Sequence, residues 1–251
     1  MSIAVTKERE PSAALRAAPI SPSQPLALPL PKQPASLALF WQSSVGKKYL
    51  MALTGILMFV FVLGHMLGNL QIFLGSEKLN AYAQALHSNA ALLWGVRLVM
   101  LAAILTHAIA GLVLALEKKS ARPIAYAEKS NIQGSLPSRT MIWSGVVIGL
   151  FLAYHLLHLT VGNVHPSFID LQPFHNVVFG LRVVPAALAY IAAMVAIGFH
   201  LWHGLYSVFH SLGLRHPRYT PGVRAAAATV GTAIAVGDIS IPLAVLVGLV
   251  G

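Results

Sequence analysis

Five long apolar stretches leave this chain few ways to fold. They run at about Tyr49–Leu74, Ala91–Leu116, Met141–Gly162, Ala186–Leu212 and Val223–Val250. Each exceeds the roughly 20 residues that cross a bilayer as a helix. Inside hydrocarbon every backbone N–H and C=O must be satisfied within the segment, so such stretches become helices. No strand pattern and no fixed-period repeat is read between them. Only 10% of the 251 residues are charged, against about 25% in a soluble domain. The expectation is an all-α membrane protein, with five transmembrane helices bundled over residues 39–251.

The basic residues set an orientation. Lys7, Arg9, Arg16, Lys32, Lys47 and Lys48 precede the first stretch. Lys118, Lys119, Arg122, Lys129 and Arg139 join the second to the third, and Arg215, Arg218 and Arg224 join the fourth to the fifth. In a five-span chain these 14 fall on one side, with only Lys78, Arg97 and Arg182 on the other. The positive-inside rule then puts the N-terminus in the cytoplasm and the C-terminus outside. The formal charge of +10 thus follows membrane topology, and no nucleic-acid partner is expected. Residues 1–38 hold seven of the fifteen prolines and no sustained apolar run. They read as a disordered tail rather than a secretory signal peptide. Phe40–Lys48, with Trp41, is expected to lie along the membrane interface.

Four of the stretches each carry a deep histidine: His65, His107, His155 and His200. Ionisable groups at such depth are costly and usually functional, and neutral imidazole is a frequent metal ligand. The 1.5 Å rise per residue turns position into depth. His65 and His155 lie ~24 and ~21 Å from the inner helix ends, His107 and His200 ~14 and ~18 Å. An outer pair and an inner pair result, the number needed for two bis-histidine haems stacked across a membrane. His158 and His203 each follow a deep histidine by three residues, on a shared helix face. Depth alone does not choose between the members of these doublets. His87, His165, His175, His210 and His216 lie at or beyond helix ends and read as solvated or interfacial. The chain has no cysteine, so thiolate metal sites, iron–sulfur ligation and c-type haem attachment are excluded. Arg97 is a candidate partner of a haem propionate, or an interface anchor. Asp238, shortly before Pro242, is a carboxyl within the fifth span, where it must be neutral, paired or functional.

The ordered motifs resemble a known family. Ser-Val-Gly-Lys-Lys precedes the first span, followed by Thr-Gly and Gly-His65-Met-Leu-Gly-Asn. Then come Thr-His107-Ala-Ile-Ala-Gly, Tyr-His155-Leu-Leu-His and Phe-His200-Leu-Trp-His-Gly-Leu-Tyr-Ser, closing with Ser-Leu-Gly-Leu. Over residues 38–250 the chain resembles the cytochrome b membrane anchor of succinate:quinone oxidoreductases (succinate dehydrogenase and fumarate reductase), of the five-helix, dihaem, single-anchor type. The resemblance implies two b haems, with His65 and His155 ligating the outer iron and His107 and His200 the inner one. His158, His203 and Arg97 are secondary candidates. It implies a flavoprotein subunit and an iron–sulfur subunit on the cytoplasmic face of the inner membrane. Electrons would pass from them to a membrane quinone, menaquinone being the expected species. Two rivals are weighed against it. One is a histidine-rich membrane metal enzyme using the His-x-x-His doublets. The other is a metal transporter, for which Asp238 and Pro242 are the only hint.

Overall fold

The computed structural model describes residues 36–121 and 135–251. The expected tail, residues 1–38, and the connector basic residues Arg122 and Lys129 lie wholly or almost wholly outside them. The described residues form helices and no strand. The elements are α1 (Ser36–Gln42), α2 (Ser44–Asn69), α3 (Ser76–His87), α4 (Ala90–Ser120), α5 (Leu136–Arg139), α6 (Met141–Leu156), α7 (Pro173–Leu181), α8 (Val184–Ser211) and α9 (Thr220–Leu246). A 3-10 turn, Leu70–Leu74, extends α2, and a π turn, Leu157–Val161, extends α6. With these extensions, α2, α4, α6, α8 and α9 are long and apolar enough to cross a membrane. Their bounds fall within a few residues of the five apolar stretches.

Local chemistry sets the ends. Ser43 breaks the chain between α1 and α2, its hydroxyl accepting the Gly46 N–H at 2.8 Å. The expected interfacial segment Phe40–Lys48 is therefore two helices, and Lys47 and Lys48 already belong to the first turn of a span. Asn89 caps α4 by accepting the Leu92 N–H at 3.0 Å. Lys118 and Lys119 in its last turn face the negative end of the helix dipole. Prolines open α7, α8 and α9, where a missing N–H costs nothing. Gly75 and Gly162, at φ 97° and 84°, turn the chain where an L side chain would be strained.

Four helices close a ring. α2 packs on α4 and α8, and α6 packs on α8 and α4. The diagonal partners are α2 with α6 and α4 with α8. The fifth span, α9, lies outside this ring, mainly against α8. Small residues let those two backbones approach: a Cβ on Gly231 would sit 2.8 Å from the Gly198 carbonyl oxygen and 3.0 Å from the Trp202 nitrogen. Such close approach is how helices associate where no water drives them together. The ring's outer surface exposes Leu53, Val60, Leu105, Leu112, Trp143 and Leu150 among many others, far more apolar area than a water-soluble monomer tolerates.

The two ends differ. Near Gly75 and Gly162 a dense cluster forms from Ile72, Leu79, Val178, Leu181, Tyr190 and Val245. The short helices α3 and α7 close over it. At the opposite end Lys47, only 3% exposed, pairs with Glu117, which ties the start of α2 to the end of α4.

The sequence also hides a partial likeness between two hairpins. Thr54-Gly55 precedes His65 on α2 by the same eleven-residue step that separates Ser144-Gly145 from His155 on α6, with Phe61 and Phe151 at matching places. His107 and His200 are each followed four residues later by a glycine, Gly111 and Gly204. The α2–α4 and α6–α8 hairpins thus share a few residues at matching places, though at no fixed period: His65 and His155 are 90 residues apart, His107 and His200 93.

Two outcomes follow from this packing. Gly231→Val forces α8 and α9 apart and lowers stability by about 1–3 kcal/mol, read as a fall in Tm of the detergent-solubilised chain. Glu117→Ala destabilises more than Lys47→Met, because it leaves a buried ammonium without its counter-charge, whereas Lys47→Met leaves a carboxylate that is 45% exposed. Equal losses from the two would mean that the pair is open to water.

Candidate functional site

The ring places the four deep histidines on its diagonals. His65 on α2 faces His155 on α6, with ring centroids 5.9 Å apart and planes at 89°. His107 on α4 faces His200 on α8, with centroids 6.2 Å apart. The depth-derived pairs are thus adjacent in space. His107 lies at the level of Met51 and Thr54 on α2. His65 is eleven residues further along that helix, about 16 Å at 1.5 Å per residue. The two pairs therefore occupy successive levels of one bundle interior.

Hydrogen bonds set which nitrogen each ring offers. His107 Nδ1 is 3.2 Å from the Met51 carbonyl oxygen and 3.2 Å from Thr54 Oγ1. A carbonyl only accepts, so Nδ1 carries the hydrogen and Nε2 keeps its lone pair. Thr54 gives its own hydrogen to the Leu50 carbonyl at 2.6 Å, leaving its oxygen free to accept. His200 repeats the device. Its Nδ1 lies 3.2 Å from Ser144 Oγ, which donates to the Met141 carbonyl at 2.9 Å. Thr54 and Ser144 hold matching places in the two hairpins. Each is followed by a glycine that meets the ring: a Cβ on Gly55 would lie 3.4 Å from His107 Cε1, and one on Gly145 3.7 Å from His200 Cε1.

The other pair is held differently. His155 Nδ1 lies 3.2 Å from the Tyr190 hydroxyl. His65 stacks on Phe61 at 5.5 Å and 13°, and no hydrogen bond to its ring is made among the described residues.

The donor set fits a bis-histidine haem. Metal–imidazole bonds of about 2 Å on each side of an iron, plus the ring radius, separate two axial imidazole centroids by about 6 Å. Both pairs have that spacing. A ligating histidine ordinarily donates its second N–H to a nearby acceptor, and three of the four have one. Among the described residues no group of three or more His, Cys, Asp or Glu side chains converges. The imidazoles come as pairs.

The secondary candidates separate from the pairs. His158 is 1% exposed and sits in the π turn after α6, stacked on Tyr154 at 5.1 Å. Its Nδ1 reaches the same Tyr190 hydroxyl at 3.1 Å. π turns are rare and recur at functional positions. His203 is engaged by Ser207 Oγ at 3.0 Å on its own helix. Arg97 is exposed, its guanidinium 5.1 Å from the Trp94 ring centroid, the posture of an interface anchor. Asp238 is half-buried on the packed stripe of α9. Its neighbour Gly237 abuts Met66, which follows His65, since a Cβ there would lie 2.7 Å from Met66 Sδ. No hydrogen-bond partner of its carboxylate occurs among the described residues.

The terminal histidines divide. His87, His210 and His216 sit at helix ends beside carbonyl or tyrosine neighbours. His175 stacks on Phe179 at 4.1 Å. His165, expected to be solvated, instead packs against His158 at 5.0 Å and reaches the Asn176 carbonyl at 2.7 Å. The residues that sequence reasoning missed are Tyr190, Thr54 and Ser144. The two small hydroxyl residues had a signal, their equal spacing from His65 and His155. Tyr190 had none.

Comparisons with protein-family models, with curated proteins and with solved structures give no match.

Proposed function

We propose that this chain is a dihaem cytochrome b, the membrane anchor and electron-transfer subunit of a succinate:quinone oxidoreductase. The observation that carries this reading is the spacing of the two diagonal imidazole pairs, 5.9 and 6.2 Å between centroids. With Nδ1 of His107 and His200 held as donors, Nε2 of each is left as a ligand. A haem with both axial positions filled by histidine supplies one-electron transfer and has no open site for oxygen. The chain's own residues bind, orient and insulate. Thr54, Ser144 and Tyr190 fix ring rotation, and the apolar ring excludes water. A non-haem metal enzyme or transporter needs three or more protein ligands at one point; paired imidazoles suit a macrocycle that fills the equatorial plane.

The rest of the reading is carried by the sequence motifs. His65 and His155 ligate one iron, His107 and His200 the other. The end bearing Lys47, Lys118, Arg139 and Arg215 faces the cytoplasm of the inner membrane by the positive-inside rule. There it receives an iron–sulfur subunit and, through it, a flavoprotein subunit that oxidises succinate. A membrane quinone, with menaquinone the expected species, takes the electrons.

The test is direct. The purified chain should show reduced b-type bands and a pyridine haemochrome ratio near two per chain. His65→Ala or His155→Ala should remove one spectral component, and His107→Ala or His200→Ala the other. A colourless protein, or loss of haem in His158→Ala and His203→Ala but not in their neighbours, defeats the ligand set. For the complex, succinate-to-quinone turnover should appear only when both soluble subunits co-purify. Turnover by this chain alone would refute the anchor role.

A further inference from the structure

The hydroxyl of Tyr190 stands between two histidines, only one of which belongs to a pair. It lies 3.2 Å from His155 Nδ1 and 3.1 Å from His158 Nδ1. A phenol donates one hydrogen and accepts through its lone pairs. The hydroxyl serves both Nδ1 atoms with its single hydrogen when one donates to the oxygen and the other receives that hydrogen. When Nε2 of His155 serves as a ligand, its hydrogen resides on Nδ1 and His155 is the donor. Tyr190 then donates onward to His158, whose own hydrogen sits on Nε2.

The surroundings hold this chain in place. Tyr190 is 7% exposed and lies edge-on to Phe151 at 4.8 Å. His158 is fixed by the π turn and by stacking on Tyr154. Behind it, His165 is committed on both nitrogens, donating to the Asn176 carbonyl at 2.7 Å and accepting the Ser167 N–H at 2.9 Å. The His107–His200 pair has no such arrangement. Its acceptors are Thr54, Ser144 and the Met51 carbonyl.

We propose that Tyr190 is a positioning residue that sets the redox potential of the His65–His155 centre, with His158 acting through it. The proposal rests on the haem reading above. A hydroxyl that donates onward becomes a better acceptor, because hydrogen bonds in series polarise one another. A stronger acceptor on His155 Nδ1–H makes that imidazole a more basic ligand. A more basic axial ligand stabilises the oxidised iron, so the centre beside Tyr190 is held at a lower potential than it would have without the phenol.

The experiment is an optical redox titration of the haem-loaded full chain, with electron paramagnetic resonance of the oxidised state. Tyr190→Phe keeps the ring and removes the hydroxyl. It should raise the midpoint of the component that is absent in His65→Ala, alter that component's g-values and leave the other unchanged. His158→Gln should raise the same midpoint by less. Ser144→Ala should move only the other component. If Tyr190→Phe fails to retain its haem, His158→Gln reads the same effect. Unchanged midpoints in every variant that retains both haems, or equal shifts of both components, overturn the role of Tyr190. A wild-type chain with no haem component at all would instead defeat the haem reading itself, before any variant is compared.

Discussion

An imidazole buried in hydrocarbon has two nitrogens, and neither is free to go unsatisfied. A polar group without a partner in such a medium costs several kcal/mol. The bundle answers this constraint on one side with hydroxyls and a carbonyl. Thr54 and Met51 receive His107, Ser144 receives His200, and Tyr190 receives His155. Each acceptor comes from a helix neighbouring the histidine's own. The contact therefore fixes the rotation of one helix against the next as well as the ring. On His107, His155 and His200 one ring nitrogen is left without a hydrogen bond among the described residues, and on His65 both are.

Diagonal placement explains why the ring needs four helices and why α9 stands apart. Adjacent helices touch too closely to leave a gap between their facing side chains. Helices across the bundle do leave one, and cofactor sites in helical bundles are built from facing side chains in this way. The two hairpins supply two diagonals at two levels. α9 carries none of the deep histidines. It packs by its small residues against α8, where Gly198 and Gly231 meet. It lies against the helix that carries His200 and Tyr190.

Much of this was legible beforehand, for a simple reason. A span must hold about 20 apolar residues, so its bounds are forced to within a few positions. Constant rise per residue then converts sequence position to depth, which is why His65 sorts with His155 and His107 with His200. Rotation about each helix axis is not legible in this way. Whether His158 shares the face of His155 depended on the π turn, and nothing in Leu-Leu-His announces one. Tyr190 is a single tyrosine in an Ala-rich run, and its role exists only after α6 and α8 pack. The short helices α3 and α7 were missed because their sequences are too brief and too mixed to show a period. The likeness of the hairpins was concealed because apolar residues interchange freely at lipid-facing positions, leaving Thr/Ser, Gly, Phe and His as the few shared letters.

The two histidine levels consequently sit in unequal settings. The His107–His200 level is held by small hydroxyls on helices that open toward the charged end, where Lys47 and Glu117 close the seam between α2 and α4. The His65–His155 level lies beside the buried apolar cluster, and Tyr190 belongs to both that cluster and that level. A tyrosine locked in a core cannot swing away from His155 without opening the cluster of Ile72, Leu181 and Val245. Firm packing at this end therefore translates into a fixed hydrogen-bond geometry at the ring nitrogen. The other end, with shorter side chains and separate acceptors, keeps its rings in place by backbone-anchored hydroxyls instead. The two histidine levels have in this way acquired two different environments.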